Sequence, residues 1–157
     1  MIAVLQRASS AFVRVQGSTV GEIGKGLVIL LGVGREDTER EAEMLASKIL
    51  RCRIFTDEAD KMNLSLTDVG GGALVVSNFT LLANYRRGNR PDFMGAAAPA
   101  EAERLYLYFT ELLRRELSLV QTGEFGADME VGILADGPVT IVMDTDVLKQ
   151  PKKECRS

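Results

Sequence analysis

The sequence predicts a single α/β domain, rich in strands and carrying two main helices. Runs of β-branched and apolar residues recur at Ile2–Val15, Thr19–Ile23, Leu27–Val33 and Ala73–Ala83, bounded by glycines or polar turn residues as strands are. Two stretches, Thr38 to about Cys52 and Pro99 to about Glu116, instead space their apolar residues at helical period. The length of 157 residues is that of one domain able to bury a substantial core.

In chain order, Ile2–Val15 reads as one long strand with a bulge or two short ones, because Gln6-Arg7 and Ser9-Ser10 interrupt its apolar pattern. Gly17-Ser18 turns the chain into Thr19–Ile23, and Gly24-Lys25-Gly26 turns it again into Leu27–Val33, an unbroken apolar run expected at the centre of a sheet. Gly32-Val33-Gly34 faintly echoes a phosphate-binding loop, but Asp37 stands where the third glycine would be, so the glycines are read as a turn. Thr38 and Glu41 form a T-x-x-E capping box at the start of the first helix. Ala42, Leu45, Ala46, Ile49 and Leu50 share one face of it and belong to the core.

Ile54-Phe55 is a short strand, and Thr56–Lys61 an acidic turn without the calcium-loop pattern. Met62–Val69 carries no decisive signal, and Gly70-Gly71-Gly72 breaks the chain before Ala73–Ala83. In that apolar run Ser77, Asn78 and Thr80 need hydrogen-bond partners or a cavity to face. Asn84–Gly95 is a loop that sets Arg86, Arg87 and Arg90 beside Tyr85 and Phe93, which suits a phosphate backbone and a stacked base as well as it suits a solvated loop. Pro99 opens the second helix, with Ala102, Leu105, Phe109, Leu112 and Leu113 inward.

Leu117–Thr122 and Met129–Ala135 follow as strands, and Val139–Asp144 alternates again. Asp136-Gly137 between the last two reads as a hairpin turn, although Pro138 removes a ladder donor where the returning strand should pair. The domain is expected to span 1–148. Residues 149–157, with Lys149, Lys152, Lys153 and Arg156, are expected to form a basic, frayed tail.

Composition excludes several chemistries. The chain has no histidine, which removes every mechanism built on an imidazole base, and no Cys or carboxylate cluster at metal-ligand spacing. Cys52 and Cys155 are isolated, as in a reducing compartment. No apolar run is long enough for a bilayer, Met1–Arg7 lacks the features of a signal peptide, and a cytoplasmic location is expected. The net charge of −3 offers no general attraction to nucleic acid, so any RNA contact must be a local basic patch.

Two stretches, Ser77-Asn78-Phe79-Thr80-Leu81 and Ala135-Asp136-Gly137-Pro138-Val139-Thr140, resemble the signature pair of the D-aminoacyl-tRNA deacylase (D-tyrosyl-tRNA deacylase) family. Supporting matches run the length of the chain at Gln6-Arg7, Gly88–Phe93 and Phe125-Gly126-Ala127-x-Met129. Two positions depart from the family pattern: Asn78 stands where glutamine is usual, and Ala135 where asparagine is usual.

The resemblance implies a barrel-like sheet, a homodimer with composite sites, and hydrolysis of the ester joining a D-amino acid to tRNA, with leakage onto glycyl-tRNA. It implies no cofactor, and as partners the 3′ end of D-aminoacyl-tRNA and a second copy of the chain, with no membrane and no DNA. By resemblance the catalytic turn is Ser77, Asn78, Phe79 and Thr80, whose main-chain N–H groups hold the oxyanion while a ribose hydroxyl activates water. Gly137-Pro138, through a cis bond, with Val139 and Thr140, reads chirality in the partner's pocket by steric exclusion. Arg7 braces that element, Phe125 caps the pocket near the terminal adenosine, and Met129 lies with the substrate-binding set. Arg86, Arg87 and Arg90 are the residues implied for tRNA contact. Thr80 could act as a nucleophile or as a positioning hydroxyl. With no base recognisable beside it, the positioning role is the expectation.

Overall fold

The computed structural model describes residues 1–151. Its elements, in chain order, are β1 (Ile2–Val15), β2 (Ser18–Ile23), β3 (Gly26–Gly32), α1 (Glu39–Leu50), β4 (Phe55–Thr56), β5 (Met62–Leu64), β6 (Gly72–Ser77), a 3₁₀ turn (Phe79–Leu82), α2 (Pro99–Arg114), β7 (Val120–Thr122), β8 (Glu130–Asp144) and α3 (Thr145–Leu148). The third helix is a single short turn beyond the two that the sequence announces.

β1 is the spine of the sheet. Along one edge it pairs antiparallel with β8 over nearly its whole length; along the other it pairs with β3 in its first half and β2 in its second. β3 and β6 then pair in parallel, as do β6 and β7, giving the order β2-β1-β3-β6-β7. The far ends of that path curl toward each other. At Gly21 in β2 an added Cβ would lie 2.4 Å from the Thr122 carbonyl oxygen in β7, so only a glycine permits the approach that nearly closes the barrel.

The closure buries both faces, which is why β3 and β6 read as unbroken apolar runs. Leu5, Leu27, Ile29, Leu31 and Val75 pack outward under Leu45 and Ile49 of α1 and Leu105, Phe109 and Leu113 of α2. Ala8, Ala11, Val13, Ile23, Val28, Leu74 and Val76 form a second core within the curve of the sheet.

Two expectations are corrected. The run Ala73–Ala83 is not one strand: β6 stops at Ser77, where the Asn78 carboxamide oxygen accepts from the Thr80 N–H at 3.2 Å and starts the 3₁₀ turn. Asparagine competes with strand pairing in this way because its short side chain reaches backbone groups two residues on. The hairpin expected at Asp136-Gly137 does not form either. Both of its arms belong to β8 and pair with β1, with the intervening residues looped out. After β8, α3 runs to Leu148, and the Lys149 ammonium lies 3.1 Å from Glu41 and 3.3 Å from Asp146. Lys152, Lys153, Cys155 and Arg156 lie outside the described residues. Among the described residues no helix is long and apolar enough to cross a membrane.

The capping box forms as its spacing predicts. The Glu41 carboxylate accepts from the Thr38 N–H at 2.8 Å and the Thr38 hydroxyl at 2.6 Å. The hydroxyl bond foremost, helped by the Thr38 N–H and Lys149 and opposed by burial, lowers the Glu41 carboxyl from 4.5 to about 2. A carboxyl depressed in the folded state stabilises the protein above its unfolded value and ceases to do so as pH falls through its folded value. The melting temperature of Glu41→Gln should therefore lie below that of the parent above pH 4.5, and the gap should close as pH approaches 2. A gap independent of pH in calorimetry would show that Glu41 acts by packing alone.

Candidate active site

β6 delivers Ser77 to the rim of the sheet, opposite Leu31 of β3, and the Asn78 N–H donates to the Leu31 carbonyl at 2.8 Å. The 3₁₀ turn then presents Phe79 and Thr80 outward. A cavity of about 560 Å³ opens beside this turn. Ser77, Asn78 and Phe79 form one side of it, Phe125 to Met129 another, and Phe93 with Ala96, Ala97 and the start of α2 the rest. The lining is largely apolar, with few polar groups fixing orientation, as small-molecule sites usually are.

The aromatic frame has internal order. Phe79 and Phe93 meet edge to face with centroids 5.1 Å apart. Phe125 packs at 5.8 Å on Tyr106, whose hydroxyl donates to the Val75 carbonyl at 3.0 Å. Burial pushes the Tyr106 phenol up to about 12, so it remains a neutral donor that ties α2 to β6 behind the cavity. Phe125 is thus both a core aromatic, half-buried on the main cluster, and a wall of the cavity.

The Thr80 hydroxyl donates to the Asn78 carboxamide oxygen. That oxygen therefore takes both the N–H and the O–H of Thr80, and it locks the turn rather than activating the hydroxyl. The side chain that departs from the family pattern has a local role. Asn78 caps the 3₁₀ turn, a position that asparagine suits.

Arg7, Gly137, Pro138, Val139 and Thr140 do not line this cavity. They cluster instead where β1 and β8 meet. Gln6 pairs with Thr140 and Ala8 with Ala135, so Asp136–Val139 bulges out opposite Arg7. Arg7, 9% exposed, donates from Nε to the Asp136 carbonyl at 3.0 Å and faces its carboxylate at 3.2 Å, while Nη1 donates to the Ile54 carbonyl at 2.8 Å. The Gly137-Pro138 bond is cis, and Gly137 and Pro138 are exposed at the tip of the bulge.

Arg86, Arg87 and Arg90 lie in a loop clasped at its base by Asn84 and Asp92. The Asn84 N–H donates to the Asp92 carbonyl at 2.8 Å and the Asp92 N–H returns to Asn84 at 2.9 Å. The three guanidinium groups are exposed, and among the described residues none is in an ion pair. Sequence reasoning missed Phe93, and Ala96 and Ala97, as cavity walls. In the sequence Phe93 reads only as a loop aromatic suited to a stacked base, and the one signal at Ala96 and Ala97 is a position just before Pro99. Among the described residues there is no group of three or more His, Cys, Asp or Glu able to hold a metal ion.

The fold is that of a single-domain α/β protein with a nearly closed sheet, and it has close counterparts. A solved structure titled c-Myc DNA Unwinding Element Binding Protein superposes with a TM-score of 0.87 at 43% identity, covering 92% of this chain and 98% of the other. A probable eukaryotic D-amino acid tRNA deacylase shares the fold at 17% identity and a TM-score of 0.79, over 90% of this chain and 97% of the other.

The family model for D-Tyr-tRNA(Tyr) deacylase matches residues 4–144. The D-aminoacyl-tRNA deacylase of Jannaschia sp. is 58% identical over 92% of this chain and 99% of its own length. That of Thermosipho melanesiensis is 53% identical over 92% and 97%. The chain belongs to the D-aminoacyl-tRNA deacylase family, whose members are hydrolases acting on aminoacyl-tRNA.

Proposed function

We propose that the chain hydrolyses the ester bond of D-aminoacyl-tRNA, releasing the free D-amino acid and tRNA, in a site that two copies complete together. The observation that carries this reading is the cavity beside the Ser77–Thr80 turn, in a chain that is more than half identical to named deacylases along nearly its whole length.

An aminoacyl ester is labile, so the site must position the carbonyl, stabilise the oxyanion and exclude the wrong enantiomer rather than supply a strong nucleophile. Of the N–H groups of Asn78, Phe79 and Thr80, the first is bonded to Leu31 and the last to the Asn78 side chain. Phe79 opens the 3₁₀ turn, and a first-position N–H has no partner within its own turn. It is the donor we assign to the oxyanion. Water is then activated by the neighbouring ribose hydroxyl of the substrate.

Gly137-Pro138 reads chirality. A backbone tip leaves room for hydrogen and amine but not for the side chain of an L-residue, so the filter ignores side-chain identity and lets glycine through. Because the tip does not line the cavity of its own chain, we assign it to the cavity of a second copy. β8 supports that assembly. Its second edge carries no strand among the described residues, and its exposed apolar side chains include Leu134 at 66% and Val142 at 68% exposure. Such an edge is normally covered. Arg86, Arg87 and Arg90 contact the tRNA backbone, and the location is the cytoplasm.

Release of D-amino acid from D-aminoacyl-tRNA, with the L-counterpart left intact, tests the reading. Equal hydrolysis of the two would reject it, and binding without release would favour a non-catalytic nucleic-acid module. Mixing an inactive Ser77–Thr80 variant with an inactive Gly137 variant should restore part of the activity through heterodimers, whereas a fully active monomer in sedimentation would refute the composite site. Replacing the three loop arginines by alanine should weaken tRNA binding and flatten its salt dependence, by about 0.7 in log–log slope for each phosphate no longer neutralised. An unchanged slope would remove the loop from the interface.

A further inference from the structure

We infer that Gln6 is a positioning residue for chiral discrimination, latching one end of the bulge whose other end Arg7 holds. The inference rests on the reading above that Gly137-Pro138 is the chirality-reading tip.

A bulge of this kind has left the strand ladder, and its Pro138 has no N–H to give back to it. What orients the tip must therefore act through its two roots. At the first, Arg7 is fixed from behind by the Ile54 carbonyl and donates forward to Asp136. At the second, the Gln6 carboxamide engages both of its polar ends. Its nitrogen donates to the Val139 carbonyl at 3.2 Å and to the Arg7 carbonyl at 3.1 Å, and its oxygen accepts from the Thr140 hydroxyl at 2.5 Å.

Consecutive residues of β1 thus grip opposite roots of the same bulge, and the Arg7 carbonyl joins the two grips. An amide is the group this geometry requires. Glutamate would keep the acceptor for Thr140 but lose both donors and face two carbonyl oxygens, and leucine would lose every bond. Gln6 is only half-buried and lies outside both apolar clusters, so its removal is expected to loosen the tip without emptying the core.

The readout is the ratio of kcat/KM for D- over L-aminoacyl-tRNA, measured beside the melting temperature for Gln6→Leu, Gln6→Glu and Thr140→Val. Each variant should lower the ratio, Gln6→Leu by about tenfold or more for the bonds it loses, while the melting temperature moves little. Gln6→Leu and Thr140→Val should be non-additive when combined, since they break one shared hydrogen bond. A merely structural Gln6 would reduce the rates for both enantiomers together and leave the ratio unchanged, and that result would overturn the inference; should Gln6→Leu fail to fold, Gln6→Glu and Thr140→Val decide it by the same ratio. A parent protein without enantiomer preference would instead overturn the underlying reading, and the inference with it.

Discussion

A D-aminoacyl-tRNA ending in 2′-deoxyadenosine, with the amino acid on the 3′ oxygen, is expected to be hydrolysed far more slowly than the Thr80→Val variant hydrolyses the natural substrate. To act as nucleophile, the Thr80 hydroxyl would have to surrender its proton. Its partner is the Asn78 carboxamide oxygen, which accepts a hydrogen bond but is no base at neutral pH. Removing that hydroxyl should cost capping of the 3₁₀ turn, on the order of 1 kcal/mol, and leave chemistry largely in place. Removing the ribose hydroxyl takes away the group we assign to activating water. General-base assistance of that kind is worth roughly 100-fold or more. Single-turnover rates for the two cases decide the matter. A covalent acyl-enzyme on Thr80, or a deoxy substrate cleaved at the normal rate, would reverse the assignment.

Gly137→Ala should be the most damaging single substitution outside the cavity. Gly137 sits at φ +147°, where a side chain is strained, and an added Cβ would lie 2.3 Å from the Val139 nitrogen. The backbone must move to relieve that clash, and the tip of the bulge moves with it. A displacement near 1 Å in a positioning element costs about 100-fold in rate, so kcat/KM on D-aminoacyl-tRNA should fall by that order. The site is exposed and outside both cores, so the variant should still fold. Near-parental activity in a folded Gly137→Ala protein would show that the tip tolerates displacement and does not read the substrate.

What was legible in the sequence was local. Thr38 and Glu41 sit three residues apart and satisfy each other within one turn, so their spacing was enough to place α1. That Ile2–Val15 is extended was legible from its β-branched and apolar residues, but whether it formed one strand or two was not, and pairing with β8 along nearly its whole length makes it one. Ala73–Ala83 misled because Leu81 and Leu82 prolong an apolar run past the residue that ends the strand. Hydrophobicity carries no information about a side chain that bonds to the backbone two residues on. Asp136-Gly137 misled for a different reason: a hairpin turn and a bulge share the same residues, and only the distant partner β1 tells them apart.

The candidate site divides in the same way. The resemblance named both polar stretches, set Arg7 beside Gly137-Pro138 and put Phe125 at the pocket, but it could not convey that Phe93, Ala96 and Ala97 meet Ser77 and Phe125 to Met129 around one cavity. Those placements are set by barrel closure and by the packing of α2, which involve residues far apart in the chain.

The bulge also gives β8 a property unusual for a strand. A residue inserted or removed within a strand turns every following side chain to the opposite face of the sheet. Here Glu130–Leu134 and Thr140–Asp144 each keep their own register with β1, Ala135 pairs with Ala8 out of step with both, and the four residues Asp136–Val139 lie outside the pairing. The tip can therefore gain or lose a residue while Met143 stays in the core and Val131 stays against the second cluster. Chain length can vary there without turning the side chains of either arm, so the tip we assign to the substrate can be remodelled apart from the strand that carries it.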